Sequence, residues 1–395
     1  MKDILIISNY YPPEKGAAAN RIEQLALKLD QNGYNVSVIS PLPNYPKGEL
    51  FPEYKGHFSV IEKIQNITLK RLWIYPSNSS NIFKRIVSTL SFSTTLFFYL
   101  LFAKIPKKVI VQSPPLLLSF TAVLALGLRR KKIILNVSDL WPTAAIELGV
   151  LKKNSISHKF LLFIERFIYR KATHIFGQSN EIIDHIHSIF PEKKCFLYRN
   201  YPDHFIENIL EEKQNLNEPI KLFYAGLLGV AQGVFELIQE LDLKNLNIEL
   251  HIFGDGAEKN QILNFLEKNQ NEKIIFHGML ERNVLHEALQ NLDIALVPLK
   301  TRIYGSVPSK IFEYSALGFP VLYFGGGEGE NIVEENKLGW VVPVEDFKNL
   351  NDTLKQISEF GKKEIQIMKN TIFLHAKSHF SLDEQMKKLI ENNAF

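Results

Sequence analysis

The sequence predicts an α/β protein built as two doubly wound, parallel-sheet domains with helices closing the C-terminus. Three observations carry this. Apolar strand-like runs alternate with helix-length segments almost throughout, the pattern of sheets covered on both faces. Glycine-containing loops recur directly after strands, where such folds place ligands. The 395 residues exceed what one core usually serves, and a polar segment with two prolines at 200–219 interrupts the alternation.

In the first half, strands are expected at "DILIIS", "NVSVIS", "KVIVQS", "KIILNVS", "THIFGQS" and "KCFLYRN", because each is a short apolar, β-branched run bounded by polar or turn residues. Helices fall between them at about Asn20 to Asp30, 82–103, 114–128, 156–171 and 180–188. The second half restarts with "IKLFYAG", "NIELHIFGDG", "KIIFHG", "DIALVPL", "PVLYFGG" and "GWVVPV". Its helices are expected from Gly233, at 257–268, 282–291, 307–317, 329–336 and 346–360, with two more at the end. The expected division is a first domain at 1–199, a linker at 200–219, a second domain at 220–378, and a helical tail at 379–395 packing back toward the first domain.

Composition narrows the function. Hydrophobic residues make up 46%, enough for well-packed cores. A net charge of +4 argues for no nucleic-acid partner. The single cysteine, Cys195, excludes an internal disulfide and fits a reducing compartment. The apolar run at the N-terminus is too short for a signal peptide and reads as a buried first strand. Charge is unevenly spread. The 76 residues from Lys63 to Ser138 contain no Asp or Glu, but hold twelve Lys and Arg around two uncharged apolar segments, Ile86 to Ala103 and Pro114 to Leu128. The first is at the lower length limit of a membrane span. Strand-like segments follow both directly, so they read as crossover helices whose basic flanks suit peripheral contact with an anionic bilayer.

Glycine loops at 9–20, 226–233, 253–258, 276–280 and 325–331 let backbone N–H groups approach a phosphate at helix N-termini. None is G-x-G-x-x-G after the first strand, which argues against a dehydrogenase. No histidine has metal-ligand spacing and no Asp-x-Asp pair is present. In "GSVPSKIFEYSALGFPVL", Lys310 and Glu313 lie three residues apart and share a helix face.

This stretch, with "YAGLLGVAQG", "FGDGAEKNQI", "IFHGML", "DIALVPL", "QSPPLLL", "SDLWPTAAIELGVL" and "YRKATHIFGQSNEI", resembles retaining glycosyltransferases of the two-domain GT-B fold, family 4. The resemblance covers nearly the whole chain and is nearest to the WbuB/WcaI-like subgroup of O-antigen and exopolysaccharide biosynthesis. It implies two Rossmann-like domains facing a cleft, a UDP- or GDP-sugar donor with UDP favoured, no metal or other cofactor, and a lipid-linked or glycan acceptor. The implied location is cytoplasmic, on the inner face of the plasma membrane.

By the same resemblance Glu313 accepts hydrogen bonds from the ribose hydroxyls, Lys310 faces the diphosphate, and Ser306 and Val307 offer N–H groups at the helix start. Gly229, Gln232, Gly254, Gly278 and, in the first domain, Gly16 complete the expected donor site. The chain departs from the family where charged residues are usual: Gly305, Leu227 and Gln232 are neutral, and Arg302 or Lys300 are expected to substitute. Asp139 follows a strand and precedes a proline, so it is expected to orient the acceptor or cap a helix. It and Lys310 are the expected catalytic residues. Ser138 stands where relatives often have a histidine, and is placed with Arg21 on the acceptor side. Glu147 is expected to be structural, and His185 and His187 to face solvent. A GT-B-fold nucleotide-sugar 2-epimerase and a non-catalytic membrane-surface nucleotide-sugar-binding protein are the alternative readings.

Overall fold

The structure is a computed structural model that describes residues 2–79, 81–203, 205, 218–269 and 272–395, without the side chains of Ile82 and Arg282. The chain divides into two compact units. The first comprises Met1–Asn200, Ile303–Ser306 and Gln385–Phe395; the second comprises Tyr201–Arg302 and Val307–Glu384. Most of the expected linker, 204 and 206–217, lies outside the described residues.

The first unit is an eight-stranded sheet in the order β3-β4-β2-β1-β5-β6-β7-β8. Its strands are β1 (Lys2–Ile7), β2 (Tyr34–Pro41), β3 (Ser59–Ile64), β4 (Ile67–Leu72), β5 (Lys108–Ser113), β6 (Lys132–Val137), β7 (His174–Gly177) and β8 (Cys195–Leu197). The helices are α1 (Ala17–Gln31), α2 (Ile82–Phe102), α3 (Leu116–Leu128), α4 (Thr143–Glu147), α5 (Ile156–Lys171) and α6 (Asn180–Ile189). All ladders are parallel except β3 with β4. Because βαβ crossovers are right-handed, the connections from β4 through β8, all stepping one way along the sheet, place α2, α3, α5 and α6 in one layer, and α1 on the opposite face. The core beneath that layer is continuous, from Leu96 and Leu100 through Val109, Leu126 and Leu135 to Ile164 and Ile168.

Two features escaped the sequence. The β3–β4 hairpin was not anticipated because its strands carry Lys and Glu on the outer face and turn through Gln65-Asn66, a poor match to the glycine-bearing hairpin signature. Gln65 supplies the positive φ of 52° itself. The short α4 was hidden by its length, below what periodicity can reveal.

The second unit is a six-stranded, wholly parallel sheet ordered β11-β10-β9-β12-β13-β14. The strands are β9 (Ile220–Ala225), β10 (Ile248–Phe253), β11 (Ile274–Gly278), β12 (Ile294–Pro298), β13 (Val321–Phe324) and β14 (Gly339–Val342). The helices are α7 (Val234–Glu240), α8 (Lys259–Asn269), α9 (Arg282–Leu289), α10 (Lys310–Ala316), α11 (Glu328–Glu335), α12 (Phe347–Ser358) and α13 (Lys362–His379). The chain order reverses direction at β9/β12, the switch point where open α/β sheets bind ligands. Two cores cover the two faces, one around Phe223, Phe319 and Ile311, the other around Leu222, Ile252 and Leu354. A last helix, α14 (Leu382–Glu391), runs from the second unit into the first. Its end is held within the first unit: Lys108 Nζ donates to Phe395 O at 2.6 Å, and Gln385 exchanges hydrogen bonds of 2.8 and 3.0 Å with the Arg199 backbone.

Candidate functional site

In the second unit, the loops after β9, β10 and β11 are stitched together through their backbones. Gly226 N donates to Phe253 O (2.9 Å), Leu228 N to Asp255 O (3.0 Å), and Gly254 N to Gly278 O (2.8 Å). Glycine is required by proximity: a Cβ on Gly254 would lie 1.9 Å from Gly226 O, and one on Gly256 would lie 2.4 Å from Leu228 O. The sequence-predicted Gly229, Gly254 and Gly278 therefore share one loop cluster. Gly229 would push a Cβ to within 2.8 Å of Gln232 Oε1, a buried oxygen that has no hydrogen-bond partner among the described residues.

Lys310 enters this cluster from below. It opens α10, and side chains in helices lean toward the N-terminus, so its stem runs back to the end of β9. The ammonium sits 4.3 Å from the centroid of the Tyr224 ring and under Gly226, where a Cβ would be 2.0 Å from Nζ. Tyr224 is fixed by its hydroxyl, which donates to Leu227 O at 2.5 Å. Part of the Lys310 stem remains accessible, but burial of the ammonium lowers its pKa to about 8, with Glu313 acting in the opposite direction. A cation that has lost water and has only an aromatic face beside it attracts an anion strongly. Glu313, on the next turn, is exposed, and its Oε1 accepts from Ser309 Oγ at 2.7 Å.

Several expectations need correction. Helix α10 begins at Lys310, with Ser309 before it, so Ser306 and Val307 are not at a helix start. Pro308 delays the helix because the residue before a proline disfavours helical geometry. The Ser306 N–H is already used on Ile303 O at 3.0 Å, and Val307 is core, 5% exposed. Lys300 does not stand free for a phosphate; it pairs with Glu236 at 2.5 Å. Arg302 lies against the turn at Gly327, whose Cβ position would be 2.4 Å from its Nε.

Gly305 belongs to the first unit with its neighbours. Its N–H donates to Glu181 (2.7 Å), its carbonyl accepts from Ser179 Oγ (2.7 Å), and Tyr304 N donates to Glu147 (2.8 Å). With φ of +86° and Leu140 and Ile182 within 3.1 Å of where a Cβ would stand, this position excludes the charged residue that the resemblance leads one to expect.

Within the first unit, Gly16 caps α1 with φ 146° and lines a pocket of 180 Å³ with Tyr10, Glu14, Lys15 and Tyr45. Glu14 shapes that pocket from inside: it is buried and accepts from Asn44 N and Tyr45 N, both at 2.9 Å, while burial pushes its carboxyl pKa up. Asp139 sits half-buried after β6; burial raises its pKa, and Arg21 and Ser138 oppose that rise. Arg21 is neither solvated nor offered to an acceptor. It is 5% exposed and bonds Gln178 Oε1, Asn136 Oδ1 (3.2 Å) and Tyr198 O (3.2 Å). His185 also differs from expectation: it bonds the buried Glu165 at 2.9 Å rather than facing solvent.

The α2–α3–α5 layer has an apolar outer surface. Phe83, Ile86, Leu90, Phe98 and Phe102 of α2 are exposed, as are Ile156, Phe160 and Phe163 of α5. Phe83–Phe102 is long and apolar enough to cross a membrane, and is 28% buried. Exposed Lys84, Arg85, Lys159, Arg166 and Arg170 lie among these residues. Four of the twelve basic residues of the acid-free stretch are instead committed inward: Arg71 to Glu62, Lys108 to Phe395 O, Arg129 to Leu100 O and Ala103 O, and Lys131 to Ile105 O. The α5 stripe was missed by sequence because Glu165 interrupts the apolar pattern; that carboxylate points inward to His185.

Residues 205–372 match the family described as glycosyl transferases group 1. The chain is 27% identical over 380 residues to a probable glycosyltransferase, WbjE of Pseudomonas aeruginosa, covering 91% of this chain and 90% of that protein. Among solved structures, sucrose-phosphate synthase from Thermosynechococcus elongatus aligns with a TM-score of 0.74 at 14% identity, over 99% of both chains. Anabaena HepE in complex with UDP and glucose aligns with a TM-score of 0.66 at 12% identity, over the whole of both. The fold is GT-B, two parallel-sheet α/β units with their helices.

Proposed function

We propose that this GT-B chain, with its group 1 glycosyl transferase match, is a retaining glycosyltransferase of cell-surface polysaccharide biosynthesis. It moves a hexose or acetamido sugar from a nucleotide sugar, UDP favoured, to a lipid-linked or glycan acceptor. The observation that carries the reading is the desolvated Lys310 ammonium beneath the glycine loops, with Glu313 one turn along the same helix. HepE binds UDP and glucose on the same fold, which supports the choice of base.

In this reading Glu313 takes the ribose hydroxyls and Lys310 the diphosphate. Charge develops on the departing diphosphate as the anomeric centre becomes oxocarbenium-like, and a preorganised cation in a dry site stabilises that change at little reorganisation cost. The glycine loops add N–H groups. Arg302, beside the turn before α11, is a second cation for the diphosphate in the same unit. Asp139 in the first unit orients the acceptor hydroxyl. The acceptor oxygen bonds to the anomeric carbon on the face that the diphosphate leaves, which retains configuration, and the hydroxyl proton goes to the leaving phosphate oxygen.

The first unit lies on the anionic inner face of the plasma membrane through the exposed aromatic and basic residues of α2 and α5. The test is incubation with a panel of nucleotide sugars, with and without lipid-linked acceptors, following UDP or GDP release and acceptor mass. Acceptor-dependent UDP release is the expected result. Nucleotide binding without transfer to any acceptor would overturn the catalytic reading.

A further inference from the structure

Asp139 stands at one end of a hydrogen-bond chain that runs across the neighbouring strands β5 and β6 and ends on a buried cation. Arg21 of α1 donates to Asn136 Oδ1 at 3.2 Å. Asn136 Nδ2 donates to Gln112 Oε1 at 2.7 Å, Gln112 Nε2 to Ser138 Oγ at 3.0 Å, and Ser138 Oγ to Asp139 Oδ2 at 3.4 Å. The sequence places the links. Gln112 and Asn136 are directly paired in the β5–β6 register, so their side chains leave the sheet on the same face, and Ser138 and Asp139 follow β6.

The donor and acceptor chemistry fixes the direction of the first three links. A guanidinium has donors only, so Asn136 must present its oxygen to Arg21. Its amide nitrogen is then committed to the Gln112 oxygen, which turns the Gln112 nitrogen toward Ser138. The Ser138 hydroxyl, having accepted, donates onward. Ser113 O lies 3.3 Å from it but already accepts from Ser138 N (2.9 Å) and Gln112 Nε2 (3.1 Å), so the carboxylate is the better acceptor. Chains aligned head to tail polarise one another, and this one points its positive end at Asp139.

We infer that Arg21 is a positioning residue: acting through Asn136, Gln112 and Ser138, it holds Asp139 as an oriented carboxylate that keeps Oδ1 for the acceptor hydroxyl. The inference rests on the acceptor role given to Asp139 above. Arg21, on α1, is the charged group acting on Asp139, and Ser138 is its neighbour on the same turn; Glu147 of α4 is turned to Tyr304 N.

The experiment follows the Asp139 carboxyl by carbon NMR in protein labelled at aspartate, assigned with Asp139→Asn, alongside the pH profile of kcat/KM. Ser138→Ala removes the last link without disturbing the core. It should raise the carboxyl midpoint by about one pH unit and move the acidic limb of the rate profile with it. Ser138→Thr, which keeps the hydroxyl, should restore both. Arg21→Met should shift the midpoint similarly, and the double variant should add little beyond either single one. If Arg21→Met does not fold, Ser138→Ala still decides. An unchanged carboxyl titration in Ser138→Ala overturns the relay. If the titration shifts but Asp139→Asn keeps full activity, the relay stands and the acceptor role of Asp139 falls.

Discussion

The Lys310 ammonium lies 4.3 Å from the centre of the Tyr224 ring, enclosed beneath a glycine that leaves its nitrogen just enough room. In the described structure it has one aromatic face and a carboxylate one turn away, but no hydrogen-bond acceptor of its own. The glycine-loop cluster of the second unit is organised around this pair.

Two glycines near it should respond differently to the same substitution. Gly226→Ala meets the tip of a flexible lysine, with the Tyr224 hydroxyl 3.4 Å away, at a φ of +158°, so it should displace the ammonium, weaken UDP binding by about tenfold, and lower the melting temperature less than Gly254→Ala does. Gly254→Ala meets the Gly226 carbonyl, which cannot move without breaking the stitched loops, and should destabilise the protein by about 2 kcal/mol or more. Calorimetry with UDP and thermal melts on both variants check this. Equal effects on binding and stability in the two would count against the Lys310 assignment.

Nucleotide affinity should depend on alkaline pH. The folded-state pKa of Lys310 is lowered to about 8, below its unfolded value, so the folded protein binds fewer protons than the unfolded chain between the two values. The sign follows: stability contributed by this group rises with pH across that window, and the burial penalty is greatest below it. A diphosphate favours the charged form, so its binding takes up a proton above pH 8. Affinity for UDP should then fall by about tenfold per pH unit above that point, and Lys310→Arg should flatten the dependence. The check is isothermal calorimetry in buffers of different ionisation enthalpy.

Loss of the Glu313 carboxylate should remove ribose recognition. Glu313→Ala leaves Ser309 and two sugar hydroxyls without their partner, and should weaken nucleotide binding by about 2 kcal/mol while circular dichroism is unchanged. Unchanged affinity would show that the carboxylate does not touch the donor.

No group of three or more His, Cys, Asp or Glu residues suited to a metal occurs among the described residues. On the proposed reading, in which Lys310 meets the diphosphate, activity should persist in excess EDTA. Abolition by the chelator, with recovery on adding Mg²⁺ or Mn²⁺, would require a metal ion in the mechanism.

The α2–α5 surface should bind anionic vesicles through both of its components. Exposed basic groups contribute about 1 kcal/mol each near such a surface, and full burial of a phenylalanine adds about 2 kcal/mol. Replacing Lys159, Arg166 and Arg170 with Gln should make co-sedimentation with anionic vesicles weaker and less salt-sensitive. Replacing Phe83, Phe160 and Phe163 with Ser should weaken it at all salt concentrations. Changing Arg129 or Lys108 should instead cost stability, since both hold backbone carbonyls. Equal pelleting with neutral and anionic vesicles would remove the electrostatic part of the proposal.

Strand–helix alternation, glycine loops after strands, and the Lys310–Glu313 spacing were legible in the sequence because each is set by neighbours a few residues apart. The two parallel sheets, and the placing of Lys310 and Glu313 on one helix, follow from these local patterns. Tertiary structure alone decided what depends on distant partners. Arg21 looks like a surface helix residue until Asn136, Gln178 and Tyr198 close over it. Lys108, Arg129 and Lys131 look like membrane-facing cations until backbone carbonyls claim them. Ser306 and Val307 look like a helix start until Pro308 moves that start to Lys310. Charge and spacing are properties of the chain; whether a charge faces water, a partner or a ligand is set by which residues folding brings within hydrogen-bonding distance.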